Sequence, residues 1–269
     1  MRGVEQSVAI VSGGASSIGA EIVKTFAAAG ANVIAADSDR TAGEELARDG
    51  AANIRFVPMD LASDADIERC VRFAIEAFGR IDFIVNAAAI YQDQGANSSR
   101  DDWLRTFDVN VVGPVMLIRA ARPHLARRPG AVVNVGSISA KVAQAGRWSY
   151  PASKAALHQV TRTLALDLAQ EGIRVNTVSP GWTWSGGMEK LGLKRAAVDR
   201  IARDFHLVPR AAERQEVANA VLFLCSDHAS FINGADIAVD GGYGALGPEG
   251  KPSAFERLLG AASSKESGT

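Results

Sequence analysis

Residues 11–20 read VSGGASSIGA. The apolar run Val8–Val11 meets Ser12, Gly13 and Gly14, and Ser16, Ser17, Ile18 and Gly19 then lead into apolar residues at helical spacing. A strand that ends in a glycine turn and re-enters as a helix gathers backbone N–H groups and the positive end of a helix dipole at one point, which suits a pyrophosphate. Such turns usually carry three spaced glycines, and Ser17 stands where the middle one would be. Its hydroxyl is able to cap the helix or donate to phosphate. Taken alone, the stretch reads equally well as a tight structural turn.

Outward from this turn the chain keeps one rhythm. Short apolar runs at Val8–Val11, Asn32–Ala36, Ile54–Met59, Ile81–Asn86, Ala131–Val135, Arg174–Val178 and Asp236–Val239 read as strands. Between them, Ile18–Ala29, Thr41–Ala47, Asp64–Phe78, Trp103–Arg122, Pro151–Gln170 and Gln215–Cys225 carry apolar residues at helical spacing. Regular alternation of this kind predicts an α/β fold, a doubly wound parallel sheet of the Rossmann type with right-handed crossovers. Strands that are apolar throughout fit a sheet covered on both faces. No linker, repeat or low-complexity block divides the chain, so residues 1–247 read as one domain. Two segments depart from the rhythm. Residues 182–209 insert two short helical pieces after the sixth strand, as a flap over a site would. Residues 248–269 form an extension in which Ser253 and Glu256 suggest a capping box, Phe255, Leu258 and Leu259 share a face, and Gly260 is a stop.

Bulk properties exclude several classes. A net charge of −1 calls for neither nucleic acid nor an anionic membrane surface. Cys70 and Cys225 are far apart and read as buried reduced thiols rather than a disulfide frame. The four histidines, His124, His158, His206 and His228, form no ligand cluster, so no metal site is expected. No signal-like start or long apolar span is present, and a cytoplasmic location is the default expectation.

Two further residues sharpen the reading of the turn. Asp37 closes the second strand roughly ~20 residues past the glycines, where a carboxylate suits a ribose diol. Asp39 is the better cap for the following helix, which leaves Asp37 for a ligand. In SYPASKAA, Pro151 suits a first helical turn, and Tyr150 and Lys154 lie four residues apart on one face. A tyrosine is a poor base near neutrality unless a cation stabilises its phenolate. Lys154 is placed to do so.

These features in this order resemble the short-chain dehydrogenase/reductase family over about residues 5–243. The match runs through SGGASSIG, Asp37, Asp60-Leu61, the Asn86-Ala87-Ala88-Ala89 stretch, Asn110 in VNVVG, Ser137 in NVGSIS, YPASK, SPGWTWS and INGADIAVDGGY. The resemblance implies a catalytic set of Asn110, Ser137, Tyr150 and Lys154. Tyr150 would exchange a proton with the substrate oxygen, Ser137 would hydrogen-bond that oxygen, Lys154 would hold the nicotinamide ribose and the phenolate, and Asn110 would position water in a proton relay. It also implies that Gly13, Ser16, Ser17, Ile18 and Gly19 form the phosphate turn, with serine tolerated at 17. Asp60 and Leu61 would flank the adenine, Asn86 would order the end of the fourth strand, Pro180, Gly181 and Thr183 would border the nicotinamide, and Asn86, Ala88 and Ser185 would also bind the cofactor. Two positions depart from the family pattern: NAAA replaces the usual NNAG, and Ser185 stands where threonine is common.

The function so implied is hydride transfer between NAD and a secondary alcohol or its ketone. An NADPH-dependent carbonyl or 3-oxoacyl reductase is the enzymatic alternative, and a catalytically silent nicotinamide-binding or scaffold protein is the alternative of another class. Tyr91, Ser139, Trp148, Trp182, Trp184 and Met188 are the expected substrate contacts, forming an apolar pocket with an aromatic preference. Arg147 is a further candidate for an anion contact. His158 is expected to serve packing, and Trp103 to be a core or interface residue. By resemblance, the faces 103–122 and 151–170 would build a homotetramer (or dimer).

Overall fold

The computed structural model describes residues 1–247, so the extension expected at 248–269 lies outside the described residues. Along the chain run β1 (Val8–Ser12), α1 (Ser17–Ala28), β2 (Asn32–Asp37), α2 (Arg40–Asp49), β3 (Ile54–Pro58), α3 (Asp64–Phe78), β4 (Phe83–Asn86), α4 (Arg100–Phe107), α5 (Gly113–Leu125) and β5 (Gly130–Val135). They are followed by α6 (Ser149–Asp167), β6 (Ile173–Pro180), α7 (Gly186–Lys190), α8 (Arg195–Ala202), α9 (Arg214–Cys225) and β7 (Asp236–Val239). The seven strands form one sheet in the order β3-β2-β1-β4-β5-β6-β7, and every pairing is parallel. The expected doubly wound α/β architecture is therefore present, and its order reverses between β1 and β4. In open sheets of this kind, ligands bind beyond the carboxyl ends of the strands at that switch point.

Alternate residues of each strand feed two cores. Ala9 and Val11 of β1 pack with Ile22 and Phe26 of α1 and with Val217 and Val221 of α9. Ile10, between them, faces the other way, with Ile67 of α3 and Leu117 and Ile118 of α5. Both cysteines are free and buried, and burial pushes each thiol up to about 12.

A row of polar side chains crosses this apolar sheet. Ser12, Asn86, Asn134 and Thr177 stand in register on β1, β4, β5 and β6. Asn86 Nδ2 donates to Asn134 Oδ1 at 2.8 Å, and Asn134 Nδ2 donates to Thr161 Oγ1 of α6 at 2.8 Å. Thr177 Oγ1 donates to the same Thr161 oxygen at 3.0 Å, and Ser12 Oγ approaches Asn86 Oδ1 at 3.5 Å. All five residues are buried, so each hydrogen bond replaces one to water and a lone survivor would be left unsatisfied.

The stretch 103–122, read from periodicity as one helix, is two helices joined by a π-helical turn at Asp108–Val112. The wider turn carries Asn110 inward, where it is fully buried. Such bulges concentrate at functional sites.

Candidate active site

The expected cofactor residues outside the flap stand at, or just beyond, the carboxyl ends of strands, whereas Asn110 lies in the π-helical turn and Tyr150 and Lys154 lie on α6. At the end of β1, Gly13 adopts φ +69°, and a Cβ there would lie 2.6 Å from the backbone of Ala88. A Cβ on Gly19 would lie 2.0 Å from the Gly13 carbonyl oxygen. Only glycine permits this closeness, and the first-turn amides of α1, which lack intrahelical partners, suit an anion at this turn. Ser16 is the N-cap of α1 in extended conformation, with no side-chain cap bond. Ser17 does not cap the helix, contrary to expectation: it is the first helical residue and is held at φ +48°.

That left-handed backbone costs a non-glycine residue about 1–2 kcal/mol, while glycine's extra unfolded-state freedom costs roughly 0.5–1 kcal/mol. Ser17→Gly is therefore expected to stabilise the protein by about 0.5–1 kcal/mol, read as a rise in Tm. A lower Tm would contradict the strain assigned here.

Asp37 lies opposite the turn. Its Oδ2 accepts from Ala15 N–H and its Oδ1 from Asp39 N–H, each at 3.0 Å. The carboxylate thus ties the glycine turn to the end of β2, and each oxygen keeps a further lone pair for a ribose hydroxyl. Asp39 caps α2 by accepting from Ala42 N–H, as the sequence suggested. Beyond β3, Asp60 Oδ1 accepts from Ala62 N–H at 2.9 Å, and Leu61 is buried against Gly113. Pro180 ends β6, Gly181 N–H donates to the Val239 carbonyl, and buried Thr183 bridges to Ala212. Ser185 uses its hydroxyl as the N-cap of α7, accepting from Met188 N–H.

The remaining catalytic candidates converge on α6. Tyr150 is only 4% exposed, and the ring of Tyr91 lies against it with centroids 4.6 Å apart. Burial pushes the Tyr150 phenol well above its ordinary value; Tyr91 adds to this, and the Ser137 hydroxyl and Arg147 oppose it. Lys154 is buried, and burial pushes it down to about 8. Its Nζ donates to the Val135 carbonyl at 2.7 Å and sits 5.8 Å from the Tyr150 ring centroid. Ser137, in the turn after β5, accepts from Ser139 N–H, and Ser139 Oγ donates to Gln144. Asn110 Oδ1 accepts from Ile90 N–H at 2.9 Å, while its Nδ2 donates to the Ile90 carbonyl and to Ser153 Oγ, each at 3.1 Å. It therefore ties the loop after β4 to α6.

The aromatic candidates divide. Tyr91 lies against Tyr150, and Trp148, half exposed, immediately precedes α6. Trp182, Trp184 and Met188 pack on the flap core of Val198, Ala202 and Ala211. Trp182 stacks on Phe205 at 5.3 Å, and Trp184 lies under Arg195.

Sequence reading gave no site role to three groups. Asp93 accepts from the amides of Trp148, Tyr150 and Gly95 at 2.7, 2.9 and 3.0 Å. Burial opposes its charge, but those three amides outweigh burial and hold its carboxyl below the usual range. His206 Nε2 accepts from Trp182 N–H at 3.2 Å and its Nδ1 faces the Ala202 carbonyl at 2.9 Å, pinning the flap to the end of β6. His158, expected to serve packing, instead belongs to a buried polar cluster: its Nε2 lies 3.2 Å from Ser179 Oγ, and its Nδ1 lies 3.5 Å from Asp236, which also pairs with Lys141. Its ring is pushed below the usual histidine range, chiefly by burial.

A family model described as enoyl-(acyl carrier protein) reductase matches residues 13–244, spanning the glycine turn, Asn110, Ser137, Tyr150 and Lys154. The chain belongs to the short-chain dehydrogenase/reductase family. Within this family it is 34% identical to trans-4-hydroxycyclohexanecarboxylate dehydrogenase of Sinomonas cyclohexanicum, over 89% of this chain and 93% of that protein. It is 36% identical to galactitol 2-dehydrogenase (L-tagatose-forming) of Cereibacter sphaeroides, over 89% and 96%. Among solved short-chain dehydrogenase/reductase-fold structures, gox2181 superposes with a TM-score of 0.82 at 30% identity, covering 90% of this chain and 97% of that one. Membership carries a nicotinamide cofactor, NAD or NADP. Among the described residues, no helix is long and apolar enough to cross a membrane.

Proposed function

We propose that this short-chain dehydrogenase/reductase uses NAD to interconvert a secondary alcohol and its ketone, with Tyr150 as the acid/base. The observation that carries the cofactor choice is Asp37: a carboxylate at the end of β2, held against the glycine turn through Ala15 N–H. The residues at this turn fit a dinucleotide, because Gly13 and Gly19 leave no room for a Cβ, the start of α1 suits a pyrophosphate, and Asp37 is tied to the turn at Ala15. Gly13, Ser16, Ile18 and Gly19 would hold the pyrophosphate, Asp37 the adenosine ribose, Asp60 and Leu61 the adenine, and Pro180, Gly181 and Thr183 the nicotinamide side. When bound, the nicotinamide takes or gives the hydride.

The rest is the work of this chain's residues. Tyr150 takes the hydroxyl proton in oxidation and returns it in reduction, Ser137 holds the substrate oxygen, and Lys154 supplies a cation beside the phenol. Asn110 fixes α6 through Ser153 and lies where a water relay would start. Relatives named for a ring hydroxy acid and for a sugar alcohol support a hydroxyl-bearing substrate of small to medium size. Exposed Tyr91 and Trp148 supply apolar walls for it.

The test is an alcohol panel that includes trans-4-hydroxycyclohexanecarboxylate, galactitol and butane-2,3-diol, assayed with NAD⁺ and with NADP⁺. Turnover with NAD⁺ preferred is expected. Preference for NADP⁺ would overturn the cofactor assignment, and no turnover across the panel in either direction would favour a binding or scaffold role.

A further inference from the structure

The N-terminus of α6 needs a hydrogen-bond acceptor that its own sequence does not supply. Trp148, at the N-cap position, has no side-chain acceptor and makes no cap bond. Pro151 has no amide hydrogen, and Ala152 N–H donates weakly to the Trp148 carbonyl at 3.4 Å. The free amides of Trp148 and Tyr150 both donate to one oxygen, Asp93 Oδ2, from 55 and 57 residues earlier in the chain. A carboxylate at that point also matches the positive end of the helix dipole.

Asp93 does more than cap. Its other oxygen accepts from Gly95 N–H, and its own amide donates to the Tyr91 carbonyl at 2.8 Å, so the loop turns tightly around it. Asn110 grips the same loop at Ile90 with two hydrogen bonds. Tyr91 hangs between these two anchors, and its ring lies against that of Tyr150. The backbone at Tyr150 is therefore held by the side chain of Asp93, and the loop that bears the covering ring by its backbone amide and by its carboxylate at Gly95.

We propose that Asp93 is a positioning residue for Tyr150, fixing both the start of α6 and the Tyr91 loop so that the phenol meets the substrate oxygen at one place. This rests on the reading of Tyr150 as the acid/base. Displacing a reacting group by about 1 Å can cost about 100-fold in rate. Asp93→Ala, which loses all three contacts, is expected to lower kcat by about 10–100-fold on the panel alcohol turned over fastest. None of the hydrogen bonds of Asp93 reaches the glycine turn or Asp37, so the NADH dissociation constant, measured by fluorescence, is expected to stay within about twofold. Asp93→Asn keeps one oxygen able to accept from Trp148 and Tyr150 and should recover part of the lost rate.

Tyr150→Phe is measured alongside. A kcat for Asp93→Ala within about twofold of wild type, or one that falls in step with cofactor affinity, would overturn the proposal. If the alanine variant does not fold, the asparagine variant is judged instead: a reduced kcat with unchanged NADH affinity supports positioning, and a wild-type kcat or a parallel loss of affinity overturns it. An inactive Tyr150→Phe beside an unimpaired Asp93→Ala removes only the role of Asp93. A fully active Tyr150→Phe removes the reading of Tyr150, and the Asp93 proposal with it.

Discussion

Replacing Tyr150 with phenylalanine is expected to lower kcat by about 10²–10⁴-fold while NADH still binds, because a positioned acid/base contributes that much. The substitution keeps the ring that packs beneath Tyr91 and removes only the hydroxyl, so the loss reports proton transfer rather than packing. The pH dependence follows from the direction of the shift. Burial, with a smaller addition from Tyr91, raises the phenol. A raised phenol is protonated over most of the working range, so alcohol oxidation should accelerate with rising pH and ketone reduction should not. Tyr91→Ala removes one of the raising groups and admits water, and is expected to move the rising limb of the oxidation profile to lower pH. Wild-type kcat in Tyr150→Phe would refute the assignment, and an unmoved limb in Tyr91→Ala would refute the influence given to Tyr91.

The second large effect concerns cofactor choice. NADP would bring its 2′-phosphate to the carboxylate of Asp37. At ~5 Å and an effective dielectric of ~20, each unit of like charge costs roughly 3 kcal/mol. Halved by screening and movement, the penalty is still about tenfold per unit charge. The nearest cation along the chain, Arg40, is exposed and paired with Glu44 at 3.7 Å, so it is turned along α2. Asp37→Ala is therefore expected to lower kcat/KM with NAD and to raise it with NADP, narrowing the gap about tenfold or more. The alanine variant also loses the bond to Ala15 N–H, so part of the NAD loss will come from a looser turn. Equal use of both cofactors by the wild type would show that Asp37 does not discriminate.

How far the site was legible in the sequence depended on the range of the interaction. The strands were readable because both faces of the sheet are covered and most of the runs are predominantly apolar. The turn at Gly13, the cap at Asp39 and the Tyr150–Lys154 pair are local, and their spacing survives into the fold. The π-helical turn left no trace, because one extra residue in a turn barely disturbs an apolar repeat. Asp93 was hidden differently: it stands in a polar stretch, and its amide partners lie 55 and 57 residues away. Ser17 looked like a helix cap by residue type, yet its backbone carries the conformation of the glycine it replaces. His158 sat on a helix face that reads as packing, and only the meeting of β6 and β7 gives it Ser179 and Asp236 as neighbours.

The polar row through the sheet has a consequence for how this protein can change. Asn134 both accepts from Asn86 and donates to Thr161, so an apolar residue there strands the buried Asn86 amide and takes one of three hydrogen bonds from Thr161. A stranded group costs about 1–3 kcal/mol, a large share of a domain's margin of stability. Replacing both members of a pair by apolar residues of matching shape can be nearly neutral. Single steps through this row therefore descend before they climb, and a library built one substitution at a time would find it closed. Neighbouring positions must move together. Variation is left to surfaces outside the row, such as the flap and the loop that bears Tyr91.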